Sequence, residues 1–350
     1  MMCPACLREA GGSLAERWKF STLTIACHKD ARPLMTSSPI TDAARIRYLL
    51  DLLAQVPDPR KRRGRRHSLA GLLAAGIAAV IAGSKSFAAI GQWAADAGPE
   101  VLEVLGAARG PADESTFRRT FSLVNADVLD RVLGAWLHTR AVLAGGRLVI
   151  AIDGKTVRGA KNKNGKAPRL VAALAHGTGA VLGQVAVDEK SNEIPAVRDL
   201  WRAFSSLACA VTTDHGRRAR RTIKTVLAPA WIEFDGAAQV AQLRRTVTKK
   251  GKKTVEVVYL ITSDKDVDPA TLAAWVRSHW KIENCLHWVR DVTYLEDKSL
   301  VRTGNAPRVM ASLRSLAISL LRLDGQDNIA AANRHHLRDP QRTLKLLQAA

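Results

Sequence analysis

At 350 residues the chain is long enough for one large or two medium domains with a sizeable hydrophobic core. An apolar share of 47% and a mean hydropathy of −0.06 exclude a disordered chain. Fifty-three Lys and Arg against 32 Asp and Glu leave a net charge of +21 and a pI near 10.3, a surplus that points to a polyanionic partner, nucleic acid first. The cysteines Cys3, Cys6, Cys27, Cys209 and Cys285 are odd in number and scattered, which argues against a disulfide framework and fits a reducing cytosol. Cys3 and Cys6 followed by Cys27-His28 lack zinc-ligand spacing in the second half.

Residues 1–40 show no sustained periodicity and read as a disordered or mis-started extension; Met35, just ahead of a helix start at Thr41-Asp42, is a candidate translation start. From 41 to 144 the pattern is helical. Ile46, Leu49, Leu50 and Leu53 recur at helix spacing until Asp58-Pro59 stops them. The run Arg60, Lys61, Arg62, Arg63, Arg65 and Arg66 then precedes a strongly apolar stretch, 69–83, too short for a bilayer and best read as a buried helix. In so basic a chain, that run is a candidate phosphate contact. Helices are expected around Phe87 to Asp96 and from Glu114 onward, where Arg118 and Arg119 would fit a helix-turn-helix.

After Gly145-Gly146 the period changes from helix to strand. Residues 148–152 form an apolar run ending on Asp153-Gly154, a buried strand with a carboxylate at its tip. A basic turn with Lys155 and Arg158 leads to a strand at 170–175, a hairpin at His176–Gly179 and a strand at 181–187. A helix over 192–204 and a strand over 207–213 ending on Asp214 complete a β-β-β-α-β order. That order opens an RNase H-like mixed α/β fold, in which Asp153 and Asp214 would meet at adjacent strand ends. The helix due next is absent. Strand-like runs at 222–227, 239–248 and 254–262 follow, then a long helix from Asp268 to about Arg290 and an amphipathic helix from Pro307 to Leu323, with 324–350 as a tail.

Transferring a phosphodiester requires an activated nucleophile and a stabilised leaving oxygen amid dense negative charge. Two Mg2+ ions about 3.5–4 Å apart, held by carboxylates, meet both needs. Asp153 and Asp214 are the strand candidates. Glu283 is the helix candidate, sharing a face with Val276, His279, His287 and Arg290 at three- and four-residue steps. Spacing alone leaves open a plain surface pairing of Glu283 with Arg290 or the histidines.

The blocks Val56-Pro57-Asp58-Pro59-Arg60, Ser86-Phe87-Ala88-Ala89-Ile90, Glu114-Ser115-Thr116, Ala151-Ile152-Asp153-Gly154-Lys155, Glu189-Lys190-Ser191-Asn192-Glu193-Ile194-Pro195 and His279-Trp280-Lys281-Ile282-Glu283-Asn284, with Leu286 to Val292, stand in one order. From about Leu49 to Leu347 the chain resembles the bacterial insertion-sequence transposases of the ISAs-one group, the H-repeat-associated proteins, within the IS-four-like DDE superfamily. The resemblance implies that Asp153 is the first and Glu283 the third acidic residue of the triad, and that Arg290 is the basic residue seven positions after that Glu. It implies a helical transposase-associated domain over 41–144 that contacts element ends, and a catalytic domain over 145–323. It further implies Mg2+ (Mn2+ as substitute), DNA as partner at element ends and target, a homodimer or higher synaptic complex, and a bacterial cytoplasmic, nucleoid-associated setting with no membrane.

The chain departs from this family after Asp214. The family's Ala-Leu-His-Thr-Gln-like helix opening and Lys-Gly-Asn-Gln-like motif have no counterpart, and His215-Gly216-Arg217-Arg218 follows at once, resembling a segment normally well downstream. An in-frame loss of several tens of residues explains this, and Asp214 is then either the second triad residue or the Asp of the downstream segment. The expected activity is Mg2+-dependent strand nicking and 3′-hydroxyl strand transfer, with Asp153, Asp214 and Glu283 holding the ions and basic residues around Lys155, Arg158 and Arg290 holding phosphates. The rival is an inactive remnant that only binds DNA. A generic RNase H-like nuclease leaves the 279–292 block unexplained.

Overall fold

The computed structural model describes residues 23–26, 42–143, 149–161, 165, 167–187, 218–228, 237–249 and 252–349. The first part is helical, as its periodicity requires: α1 (Asp42–Ala54), α2 (Leu69–Ile81), α3 (Phe87–Asp96), α4 (Pro99–Val104), α5 (Glu114–Leu123) and α6 (Ala126–Leu143). Ser68 Oγ accepts from the Gly71 N–H to start α2, and Ser86 and Asp113 cap α3 and α5 in the same way, each satisfying an amide with no intrahelical partner. Every residue of α2 except Ala70 is buried, so the apolar stretch is a core helix. No helix of the described residues is long and apolar enough to cross a membrane.

A four-stranded antiparallel sheet follows, in the order β1 (Leu23–Ala26), β2 (Val149–Thr156), β3 (Arg169–Ala175), β4 (Val181–Val187). The expected meander is present in β2, β3 and β4, with Asp153 opposite Ala172 and Arg169 opposite Val187. β2 does not stop at Asp153-Gly154. It continues to Thr156, so Asp153 sits within the strand and not at its tip.

β1 corrects the expectation that residues 1–40 form no element. Leu23 pairs with Ile152 and Ala26 with Val149, antiparallel along the outer side of β2. An open edge offers unpaired N–H and C=O groups, and β1 satisfies them. It lies on the side of β2 where the strand expected at 207–213 would run. That strand, the helix expected at 192–204, Asp214, and the Cys3, Cys6, Cys27 and Cys209 positions lie outside the described residues.

β5 (Arg218–Leu227), β6 (Gln239–Lys249) and β7 (Lys252–Thr262) form a separate antiparallel sheet. Its small apolar cluster of Ala241, Leu243, Leu260, Val267 and Leu272 extends to Trp275 and Val276 of α7 (Pro269–Ser278). α8 (Ala306–Leu323) buries the expected stripe of Val309, Leu313, Leu316 and Leu320. The residues after it are not a tail: α9 (Ile329–Leu337) and α10 (Pro340–Ala349) pack Ile329, Ala332, Leu344 and Leu347 into the core. One apolar cluster runs from Ile46 through Ala151, Leu286 and Leu313 to Leu347, so the helical region and the sheet share a core.

α6 meets β4 at a glycine. A Cβ on Gly134 would stand 2.7 Å from the Leu182 carbonyl oxygen and 3.2 Å from Gly183 Cα, both backbone. Overpacking costs about 1–3 kcal/mol, and alanine returns at most about 1 in helix propensity. Gly134→Ala is therefore expected to lower stability by roughly 1–2 kcal/mol in urea denaturation. An unchanged midpoint would count against the close approach.

Candidate active site

Side chains two apart on a strand share a face, so Asp153 and Lys155 project from the same side of β2. Asp153 Oδ1 accepts the Gly154 N–H at 2.8 Å, and 22% of its side chain remains exposed. Lys155 is buried, with Nζ 2.6 and 2.7 Å from the Asp291 carboxylate and 3.8 Å from Asp297.

The long helix expected from Asp268 to Arg290 is broken. Asp268 caps α7 through the Ala270 and Thr271 N–H groups, and α7 ends at Ser278. A helical turn at Trp280–Ile282 leads into π-helical turns at Glu283–His287 and Val289–Thr293. A π turn takes more residues than an α turn and often marks a functional site. The one-face grouping derived from α spacing therefore fails across it. Val276 packs with the second sheet, Glu283 and His287 face Asp153, and Arg290 turns inward.

His287 Nδ1 stands 3.3 Å from Glu283 Oε2 and 3.6 Å from Asp153 Oδ2, and one donor atom from each of the three residues lies within 4.8 Å of the others. Burial, reinforced by the charges of Arg290 and Lys155, lowers the His287 pKa to about 3, so the ring is neutral. Burial likewise holds His279 at about 4. Two carboxylates and a neutral imidazole form a donor set suited to a divalent cation.

Arg290 is fully buried. Its Nε donates to both Glu296 oxygens at 2.9 and 3.0 Å and its NH1 to Gln184 Oε1 at 3.0 Å; Arg314 NH1 reaches the same carboxylate at 3.1 Å. The expectation of a phosphate contact at Arg290 is corrected: a guanidinium without exposed surface cannot meet a phosphate, and this one braces the segment that carries Glu283 and His287. Arg158 is an exposed cation just after β2, its backbone N–H donating to Asp297 Oδ1 at 3.2 Å. In the basic run, Arg60 is clamped to Asp58 at 2.9 and 3.0 Å and to the His67 carbonyl, while Lys61, Arg62, Arg63, Arg65 and Arg66 are exposed around a 3-10 turn.

Glu296, Gln184, Arg314 and Asp130 were not legible as partners, because each comes from a different element. The faint signal was the acidic pair Glu296-Asp297 just after the 279–292 block. Burial pushes Asp130 up to about 7, against a 2.6 Å hydrogen bond from Ser312 Oγ and the nearby Arg308. An acid held above its unfolded value of 3.8 binds its proton more tightly when folded. Its contribution to stability is complete below about 3.8 and is lost as pH rises to about 7. Asp130→Asn is expected to flatten that slope and to raise the denaturation midpoint at pH 8; an unchanged slope between pH 4.5 and 8 would sink the assignment.

A family model described as "Transposase DDE domain" matches residues 144–320, and one described as "DDE_Tnp_1-associated" matches residues 50–137. "Putative transposase YncI" of Escherichia coli O157:H7 is 28% identical over 348 aligned positions, covering 79% of this chain and 88% of that protein. "H repeat-associated putative transposase YhhI" of Escherichia coli K12 is 25% identical, covering 80% and 91%. The K12 protein named "Putative transposase YncI" is 34% identical over 175 positions, 48% of this chain and 68% of that one. The associated domain falls within the helical region and β2, β3 and β4 within the DDE domain, and the chain belongs to the DDE-domain transposases, with an RNase H-like mixed α/β core.

Proposed function

We propose that the chain acts as an insertion-sequence transposase that nicks DNA at element ends and joins the freed 3′-hydroxyl to target DNA. Asp153, Asp214 and Glu283 serve as the acidic triad and Mg2+ as the ion, within a homodimer or larger synaptic complex. The supporting observation is the convergence of Asp153 and Glu283, far apart in sequence, on one divalent-cation donor cluster beside exposed basic side chains. The ion supplies Lewis acidity and a more acidic bound water. Asp153 and Glu283 hold it, with Asp214, outside the described residues, as the third carboxylate. Lys155, fixed by Asp291, keeps positive charge next to Asp153, and the exposed Arg158 meets phosphate. Lys61, Arg62, Arg63, Arg65 and Arg66 contact the DNA backbone of the element end, with Arg60 setting the shape of their turn.

A specific observation favours the remnant reading as a second one. Of the 348 positions aligned with the O157:H7 relative, this chain fills 79% of its 350 residues, about 277, leaving about 71 positions without a counterpart. That shortfall is of the order of the several tens of residues whose loss is expected after Asp214. The test is Mg2+-dependent nicking of DNA bearing the element's terminal inverted repeats. Nicking that Asp153→Ala abolishes supports the enzyme. Salt-sensitive binding without nicking under any metal selects the remnant.

A further inference from the structure

His287 is a third donor group between Asp153 and Glu283, and a carboxylate-only triad has no use for it. Its side chain is 5% exposed, and Nδ1 is the ring atom turned to both carboxylates, at 3.3 and 3.6 Å. Donor atoms bound to one six-coordinate ion at about 2.1–2.2 Å stand about 3.0 Å apart when cis and about 4.3 Å when trans. The observed 3.3 and 3.6 Å lie nearer the cis spacing, above it by about 0.3 and 0.6 Å, so a small closing movement of the side chains would bring these atoms onto one ion. Without an ion, Nδ1 hydrogen-bonds to Glu283 Oε2 at 3.3 Å, a long contact, while the 3.6 Å to Asp153 Oδ2 lies outside hydrogen-bond range and is left unexplained by that bond.

The far side of the ring leaves the choice of tautomer to the cluster. Nε2 is buried with no hydrogen-bond partner among the described residues, so no carbonyl or carboxylate there fixes where the proton sits. Between two carboxylates alone, Nδ1 keeps the proton and donates it. With a cation present, moving the proton to Nε2 frees a lone pair aimed at the ion. Neighbouring elements hold the ring in place: Leu286 and Val289, on either side along the chain, are core residues, and Arg290 anchors the same segment to Glu296.

We propose that His287 Nδ1 is a metal ligand alongside Asp153 and Glu283, making this a mixed carboxylate–imidazole site. The inference rests on the metal-dependent reading above and adds to it a ligand and an ion preference. Mg2+ favours oxygen donors, whereas an imidazole raises affinity for Mn2+ and later divalent ions relative to Mg2+. The site then selects Mn2+ over Mg2+ more strongly than three carboxylates would.

The experiment uses the full chain with Mn2+ as probe. Electron paramagnetic resonance titration measures binding, and electron spin echo envelope modulation detects a directly bound 14N. The unsubstituted chain is expected to show 14N coupling. His287→Gln is expected to lose it and to bind Mn2+ at least about tenfold more weakly. His287→Asp, which returns an oxygen donor, is expected to bind Mn2+ without 14N coupling and with a lower Mn2+/Mg2+ affinity ratio; circular dichroism melting confirms that each variant is folded. Mn2+ binding that depends on Asp153 and Glu283 but shows no 14N coupling overturns the ligand and leaves the metal-dependent reading standing. No Mn2+ binding by the folded chain overturns both.

Discussion

Glu296→Ala is expected to destabilise the chain by about 3–5 kcal/mol, the cost of leaving a buried charge uncompensated, out of the roughly 5–15 that hold a domain together. Two fully buried guanidiniums, Arg290 and Arg314, share this one carboxylate, so its loss leaves both with neutral partners only, Gln184 and the Lys85 carbonyl. Burial alone would push Glu296 up, but the two arginines overcome it and hold the carboxyl at about 2. A folded value below the unfolded 4.5 means that this stabilisation is complete above about 4.5 and is lost as pH falls toward about 2. Urea denaturation at pH 7 and pH 3 checks both parts. A loss below about 1 kcal/mol at pH 7 would show that the arginines find other partners. Because Arg290 lies three residues beyond His287, the same substitution is expected to loosen the cluster of Asp153, Glu283 and His287.

Strand nicking of end-bearing DNA is expected to fall by at least about a hundredfold in Asp153→Ala, since displacing a catalytic group by an ångström already costs about that much. DNA binding should be unchanged, because Asp153 is an anion and the affinity for DNA comes from basic residues. Gel-based nicking with Mg2+ and with Mn2+, beside a filter-binding salt titration, separates the two. Nicking that survives Asp153→Ala would remove Asp153 from the chemistry. Asp214→Asn run in parallel asks whether that carboxylate belongs to the triad. If the unsubstituted chain binds but never nicks, inserting the corresponding segment of a relative after Asp214 tests whether a loss there is the cause.

The elements that sequence made legible are those whose patterning is local. The buried α2, the α8 stripe and the β2–β4 meander follow from burial at periods 3.6 and 2. The π turns were not legible, since nothing in Glu283–Thr293 breaks an α pattern; they arise where Glu283 and His287 face Asp153 while Arg290 reaches Glu296 in the core. That conflict also explains why Arg290 was misread as a surface cation: a basic residue on an apparently amphipathic helix gives no sign of a buried acid six positions on. The pairing of Asp153 with Glu283 came from the resemblance more than from spacing. His287 was legible only as a residue on the face of Glu283, because its approach to Asp153 depends on a strand far away in sequence. The helices α9 and α10 were missed because their apolar positions are few and spread between basic ones.

The strand β1 has a consequence for the order in which the chain assembles. Leu23 leaves the ribosome about 129 residues ahead of its partner Ile152, roughly ten seconds at about 5–20 residues per second. During that interval the helical region can close on its own local contacts, while β1 waits without a template. Sealing the sheet is a non-local event with a large loop to close, and such pairings form late. β2 therefore passes through a period with one edge bare, in which the newly made chain is most open to capture by a neighbouring copy.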